Sequence, residues 1–265
     1  MMTAILELPT WLGCGLAVLA GVVCSVLPLV AVRWFMTREL NPKTREVAET
    51  VAVRVGTVHA LILALVFAEA QSTHTDLQQQ VSKEVTALEH VALRLDQWNG
   101  PEEDALINQL AAYVRAVLQT EWQVSLHPDG STAAKQAYNN LDAAILDLPA
   151  DSPRQQALRD RMISDMDTLQ EHRRDRLSLF HRAIPGLFWW MALAGFAITV
   201  LFFFVFPETP LHIAMLGVYG AYTGLVLYFI LALSHPYVGP AAIDTSPYEM
   251  VLETELSPRP SAAMP

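Results

Sequence analysis

Apolar residues lie in four blocks along the chain, and the segments between the blocks are polar. Three blocks contain no Asp, Glu, Lys or Arg and extend over residues 12–32, 186–206 and 211–233. Each is long enough to cross about 30 Å of hydrocarbon as a helix. The fourth block, 55–68, is shorter and crosses only if the preceding turn of helix is included. The pattern predicts four transmembrane helices, at about residues 12–35, 51–69, 186–206 and 211–233.

The polar stretch between the second and third blocks has helical spacing. Apolar residues recur every three or four positions between Ser72 and Arg182, and no run alternates as a strand would. Ser72 or Thr73 is a candidate cap for the first of these helices, which should end near Gly100. We expect an all-α membrane protein in which two transmembrane hairpins flank an extramembrane antiparallel helical domain. The predicted regions are a first hairpin in 1–70, the helical domain in 71–183, a second hairpin in 184–235, and a Pro-rich acidic tail with a disordered end in 236–265.

Two of the predicted spans carry small residues at four-residue spacing. Small residues let two membrane helices approach closely, so these positions favour helix packing. They are also frequent in membrane helices generally, which leaves ordinary composition as the alternative interpretation. The packing candidates are Gly13, Ala17, Gly21 and Ser25 in the first span, and Gly217, Gly220, Ala221 and Gly224 in the last.

One side of the second span has a charge at each end and aliphatic residues between. At 100° per residue its members cover roughly a third of the helix circumference. An apolar constriction between charged mouths is one way to build a gated pore. The alternative is that the two charges only mark where the membrane ends, because long Arg side chains reach the interface. The candidate pore-lining residues are Arg54, Val58, Leu61, Ile62, Leu65 and Glu69.

His59 is the histidine that the pattern singles out, because it lies inside the second span. A histidine at such a position either lines a polar pathway or is a hydrogen-bonded packing residue. The other seven histidines are scattered and show no metal-ligand spacing. We therefore expect no metal site, and His59 is a candidate for a polar pathway.

The composition argues against several function classes. The net charge of −10 leaves no basic surface for a nucleic-acid partner. The chain contains no phosphate-loop, dinucleotide, serine-hydrolase or zinc-protease motif, so we expect neither an enzyme nor a bound cofactor. The expected environment is a lipid bilayer.

The positive residues give conflicting signals for membrane orientation. Arg38, Lys43 and Arg45, with flanking Arg33 and Arg54, make the loop between the first two spans cytoplasmic by the positive-inside rule. Four further arginines precede the third span, and because only the second span separates them from that loop, four spans cannot place both clusters on the cytoplasmic side. This second cluster consists of Arg173, Arg174, Arg176 and Arg182.

Several residue groups together resemble the bestrophin-like family of bacterial membrane proteins, a family whose activity is not established. They cover most of the chain from about residue 50 to 250 and occur in the family's order. The groups are LALVF at 63–67, EVTAL at 84–88, Tyr113 with Glu121 and Trp122, RRDRL at 173–177, Pro185 with Trp189, and LSHPYVG at 233–239.

The resemblance implies a likeness to bestrophins, which are homopentameric anion channels with a hydrophobic neck lined by the second span. Carried over by segment, Val58, Ile62 and Leu65 would line the neck and Arg54 would lie at a mouth. The aromatic neck residues of bestrophins have no counterparts here, since the nearby Phe67 lies on another side of the helix. The likeness also implies a multi-pass protein of the bacterial inner membrane with its helical domain in the cytoplasm.

Two functions follow from these observations. The first is a homo-oligomeric channel, conducting chloride or another small anion, with its pore lined by the second span. The second is a membrane-anchored scaffold or signalling protein whose acidic helical domain binds a protein partner. A scaffold should have a fully packed second span and an exposed apolar patch on its domain, whereas a channel needs a second-span face that is shared between copies.

Overall fold

The computed structural model describes residues 3–35, 42–98, 100–122, 130–180, 186–203 and 209–256. The regular elements among these residues are all helices, with no strand, which confirms the all-α prediction. Four helices, α1, α2, α6 and α7, are long and apolar enough to cross a membrane. The helices are α1 Thr10–Phe35, α2 Pro42–Trp98, α3 Glu103–Ala116, α4 Thr132–Leu146, α5 Pro153–Phe180, α6 Gly186–Phe203, α7 Pro210–Leu233 and α8 Ser246–Thr254.

Helix α2 is a single helix of 57 residues, about 86 Å long. The prediction of a new helix beginning at Ser72 or Thr73 was wrong. Between Pro42 and Gly100 the chain contains no proline and only one glycine, Gly56, so nothing interrupts the backbone hydrogen bonds. The apolar pattern of the second span and that of the following polar stretch therefore belong to one continuous helix.

The chain divides into two compact units. The first comprises Met1–His74 and Ala183–Ala242, and the second Thr75–Arg182 and Ile243–Pro265. The boundary at His74 falls inside α2, so this helix contributes its first half to one unit and its second half to the other.

The first unit is centred on an antiparallel pair, α1 and α7. A Cβ added at Gly220 would lie 2.9 Å from the Gly21 carbonyl carbon, and one added at Gly224 would lie 3.3 Å from the Gly21 Cα. The Ser25 hydroxyl donates to the Leu216 carbonyl oxygen across the pair, at 3.2 Å. The absence of side chains at these positions lets the two backbones touch.

The remaining small-residue candidates have different surroundings. Gly13 lies against the Tyr228 ring, 2.9 Å from a Cβ built at this position, and Ala17 contacts Gly224. Gly217 makes only ordinary contacts with side chains of α1, and Ala221 is half-buried.

The segment that follows α7 packs against the first residues of the chain within the first unit. The Gly239 backbone has φ +89°, a left-handed conformation, and an added Cβ would lie 2.9 Å from the Leu6 carbonyl oxygen. Glycine is therefore required there for both conformation and space. His74 Nε2 lies 2.8 Å from the Ala241 carbonyl oxygen, within hydrogen-bonding distance.

The second unit is a helical domain with a continuous apolar core. The core receives the stripe of α2 from Leu77 to Trp98 together with residues of α3, α4 and α5. It also receives Tyr248 and Val251 of α8, a short helix within the region predicted as a tail. The end of that tail, residues 257–265, lies outside the described residues, as do residues 204–206 of the predicted third span.

Candidate functional site

The predicted pore-lining face is largely exposed in a single chain. Val58, Leu61 and Leu65 are 58%, 61% and 62% exposed, and Arg54 and Glu69 at the two ends are exposed as well. Ile62 is half-buried at the edge of this face. Neither Arg54 nor Glu69 has an ion pair among the described residues.

A different side of the same helix attaches it to its own unit. Leu63 and Val66 are buried against Ala192 of α6 and Ile230 of α7. These contacts lie on another side of α2 and include part of Ile62, whereas Val58, Leu61 and Leu65 remain mostly exposed in one chain.

His59 does not belong to that face. It is only 3% exposed and packs between α2 and α6, where Gly195 provides the space for its ring. Neither ring nitrogen has a hydrogen-bond partner among the described residues. The ring borders a groove of about 410 Å³ that also receives Arg54 and Ile62 from α2 and Ile198 from α6.

In the second unit, four charged side chains form a buried ion cluster: Glu84, Glu121, Arg173 and Arg176. None is more than 3% exposed. Arg176 Nε donates to Glu84 at 2.7 Å, and Arg176 Nη2 donates to Glu121 at 2.7 Å. Arg173 Nε donates to Glu121 at 3.1 Å, and Arg173 Nη2 donates to the same carboxylate. The charges of the four residues sum to zero.

Two aromatic residues complete the surroundings of the ion cluster. The Tyr113 hydroxyl donates to Glu84 at 3.3 Å. The Arg176 guanidinium carbon lies 5.2 Å from the centre of the Trp122 ring, within the range of a cation–π interaction. Buried charges persist only when paired and hydrogen-bonded, and these contacts meet that requirement from several helices at once.

Local backbone features bring Glu121 into the cluster. A π-helical turn, Val117–Glu121, follows α3 and ends at this residue. The Ser131 amide donates to the Glu121 carboxylate at 3.2 Å, while the Ser131 side chain caps α4 by accepting from two amides. Gly130 has φ +71°, and a Cβ there would lie 2.8 Å from Leu177.

The cluster shifts the pKa values of its members in directions that favour the charged pairs. Burial alone would raise the pKa of the Glu121 carboxyl, but the charges and hydrogen bonds of Arg176 and Arg173 hold it below its ordinary value. Burial would lower the pKa of Arg173, yet its hydrogen bonds to Glu121 raise it. Burial and the nearby Glu84 charge raise the pKa of the Tyr113 phenol well above normal. Glu121 is therefore ionised and Tyr113 is neutral at pH 7.

The side chains of the described residues form no group of three or more His, Cys, Asp or Glu that could hold a metal ion. Within the ion cluster, the two carboxylates are engaged by guanidinium groups.

Comparison with known families gives one match, to the family described as the bestrophin-like domain, over residues 17–248. The chain belongs to the bestrophin-like family. Comparison with curated proteins finds no match, and neither does comparison with solved structures. Family membership and the four apolar helices together fit a membrane protein.

Three of the residue groups that carry the bestrophin-like resemblance meet in the ion cluster. The EVTAL group contributes Glu84, the RRDRL group contributes Arg173 and Arg176, and Glu121 lies beside Trp122. These residues stand out in the sequence, but their spacing along the chain does not predict that they meet. A usable signal was present, because Glu84 falls within the apolar stripe between Val81 and Leu88, where an unpaired charge would not be tolerated.

Proposed function

We propose that this bestrophin-like protein is a homo-oligomeric channel that conducts chloride or another small anion along an axis lined by α2. One observation carries the proposal: a single chain leaves the apolar, charge-ended face of α2 exposed while it packs another side of that helix. Charged groups at the edges of a membrane span need water or a partner. When several chains place α2 around one axis, water on that axis hydrates Arg54 and Glu69. The aliphatic residues between the two charges are then enclosed by the neighbouring chains.

The side chains of this face have the properties that the conduction pathway requires. Val58, Ile62 and Leu65 form a ring of aliphatic groups in the assembled state, and such constrictions gate by excluding water. Arg54 at one mouth raises the local concentration of anions. By resemblance to bestrophins, the oligomer is a pentamer.

The proposed arrangement has two membrane hairpins, α1–α2 and α6–α7, on either side of an extramembrane helical domain in the chain order. The lengths and hydropathy of the four helices support it. The proposed location is the bacterial inner membrane, with the helical domain in the cytoplasm, as the likeness to bestrophins implies.

Chloride flux from liposomes that contain the purified full chain tests this function. Ile62→Ala should raise the flux several-fold, because it widens the apolar constriction. Phe67→Ala is the matched control, since Phe67 is also exposed on α2 but lies on another side of the helix. Equal flux from the two variants would contradict the assignment of the pore-lining face.

Ion selectivity provides a second test. Arg54→Glu places an anion at the mouth, so the preference for chloride over potassium should fall. Protein that is correctly assembled in liposomes and passes no anion would exclude the channel and leave the membrane-anchored scaffold as the function.

A further inference from the structure

His59 is a buried ionisable side chain that the proposed conduction pathway does not use. Its ring is only 3% exposed, and neither ring nitrogen has a hydrogen-bond partner among the described residues. A buried polar group without a partner is costly, so each one in a native protein calls for a reason. The call is stronger inside a membrane helix, where lipid supplies no hydrogen bonds.

The ring packs against α6 through its shape alone. A Cβ at Gly195 would lie 2.9 Å from the Cγ atom of His59, so the absence of a side chain at this position makes the recess that holds the ring. The Gly195 carbonyl oxygen already accepts a hydrogen bond from the Thr199 hydroxyl, at 2.8 Å. The α2–α6 contact at His59 is therefore one that a neutral ring can make and that no hydrogen bond secures.

The groups around the ring do not compensate a positive charge. Beside His59, the groove between α2 and α6 is lined by Arg54, itself a cation, and otherwise by residues without a charge. The nearest carboxylate on α2, Glu69, is ten residues away, about 15 Å at the helical rise. Helix α6 contains no ionisable residue between Gly186 and Phe203, and Tyr219 of α7 stacks on aromatic rings of α6. The residues of α7 that join the packing of α2 against α6 are also uncharged: Val226, Leu227 and Ile230.

We propose that His59 is a proton-sensitive contact between α2 and α6. The neutral ring holds the two helices together, and protonation expels the ring from the Gly195 recess and moves the helices apart. A second cation beside Arg54 in an apolar space is unfavourable, and release lets the imidazolium reach water. Histidine has an ordinary pKa of about 6.5, which places this change near physiological pH.

The movement extends to the face of α2 that carries the candidate pore-lining residues. Val58 and Ile62 line the same groove as His59, so a change in the α2–α6 contact shifts both side chains. An effect of this shift on conduction rests on the proposed function, whereas the movement itself does not.

Pulsed electron resonance between spin labels on α2 and α6 tests the movement in the full chain in nanodiscs. The labels replace Leu61 and Leu193, which are both exposed, after Cys14 and Cys24 are changed to Ala. Labelled chain is diluted with unlabelled chain so that each assembly holds one labelled copy. The wild type should give one distance at about pH 7.5 and a second, longer one at about pH 5.

Two histidine variants decide whether His59 causes the change. His59→Leu should not show the longer distance at either pH. His90→Leu should still show it at low pH and is the matched control, because His90 is exposed on the same helix. The proposal is overturned if the wild type keeps one distance at low pH, or if His59→Leu gains the second.

A glycine variant tests the recess without a change of pH. Gly195→Ala should show the longer distance already at about pH 7.5, because the added methyl takes the space of the ring. Gly186→Ala is the matched control on α6, since no atom lies within 4 Å of a Cβ built there. Identical distance distributions for the two variants would contradict the role of the recess.

Reversible unfolding in mixed micelles with dodecyl sulfate gives an independent measure. A histidine that is neutral when packed and protonated when unfolded loses stability as the pH falls below about 6.5. Between about pH 7.5 and 5.5, the folding constant of the wild type should fall about three- to tenfold relative to that of His59→Leu. Relative to His90→Leu it should not change. A constant ratio of wild type to His59→Leu would overturn the proposal, whether or not the protein conducts ions.

Discussion

The two halves of α2 differ in how completely one chain buries their apolar residues and pairs their charged groups. Between Leu77 and Trp98 the apolar stripe is buried in the core of the second unit, and the one carboxylate within it, Glu84, is paired with Arg176. Between Arg54 and Glu69 the helix packs one side only, and its charge-ended face remains exposed.

This difference separates the half of α2 that one chain packs fully from the half that the proposed assembly would cover. The helical domain finds partners for its buried charges within one chain. The membrane half of α2 finds none for Arg54 or Glu69 among the described residues, although α1 and α7 of the same unit are tightly packed. The assembly that we propose accounts for both observations, because a shared axis gives Arg54 and Glu69 water and leaves the helical domain unchanged.

The largest expected effect is on the ion cluster. Arg176→Met should lower the free energy of unfolding by about 3–5 kcal/mol, since it leaves Glu84 and Glu121 buried with less compensating charge. Arg174→Met is the matched control, because Arg174 is exposed, and its effect should be within about 0.5 kcal/mol. Chemical unfolding followed by circular dichroism measures both. Similar values for the two variants would mean that the cluster does not stabilise the domain.

The next largest effect concerns the α1–α7 pair. Gly21→Ala should destabilise the first unit by about 1–3 kcal/mol, because the added methyl meets the backbone of Gly220 and the helices must separate. Gly15→Ala adds the same methyl to the same helix where no atom lies within 4 Å, so it should be neutral or stabilising by up to about 1 kcal/mol. Thermal unfolding in detergent distinguishes the two, and equal midpoints would contradict the close packing.

The stabilising contribution of Glu121 is expected to change gradually with pH. The pKa of Glu121 is lower in the folded protein than its ordinary value of 4.5, so its stabilising contribution is complete above pH 4.5 and is lost as the pH falls through the folded-state value. The difference in unfolding midpoint between the wild type and Glu121→Gln should therefore be constant from pH 7 to about 5 and should narrow at lower pH. A difference that widens on acidification would reverse the assigned sign.

The smallest expected effect is at the membrane half of α2. Arg54→Gln should change the unfolding free energy by less than about 0.5 kcal/mol, because Arg54 is exposed and has no ion pair among the described residues. Circular dichroism of this variant beside Arg176→Met measures the contrast between the two arginines directly. A destabilisation as large as that of Arg176→Met would show that Arg54 has a structural partner.

The sequence predicted the four apolar helices, because a continuous run of about 20 apolar residues has few alternatives to a membrane helix. It did not predict that α2 continues through Ser72 and Thr73. These residues are good caps but are also tolerated inside a helix, and tertiary packing decides between the two. Local signals in the sequence were therefore enough to predict that the helices exist, but not enough to predict where they end.

The candidate site, like the helices, was predictable only in part. The face of α2 followed from helical periodicity, but the burial of His59 against Gly195 depended on contacts with α6, which is distant in sequence. The ion cluster joins residues separated by up to 92 positions, and no periodicity links them. Helix α8 was missed because its apolar residues, Tyr248 and Val251, are few and lie in a segment rich in proline and acidic residues.

A single-particle density map of the full chain in lipid nanodiscs tests the central claim most directly. The proposed channel requires several copies around one axis, with Val58, Ile62 and Leu65 of each α2 turned toward it. A monomer, or an oligomer in which those three side chains face the acyl chains at its periphery, would contradict the claim.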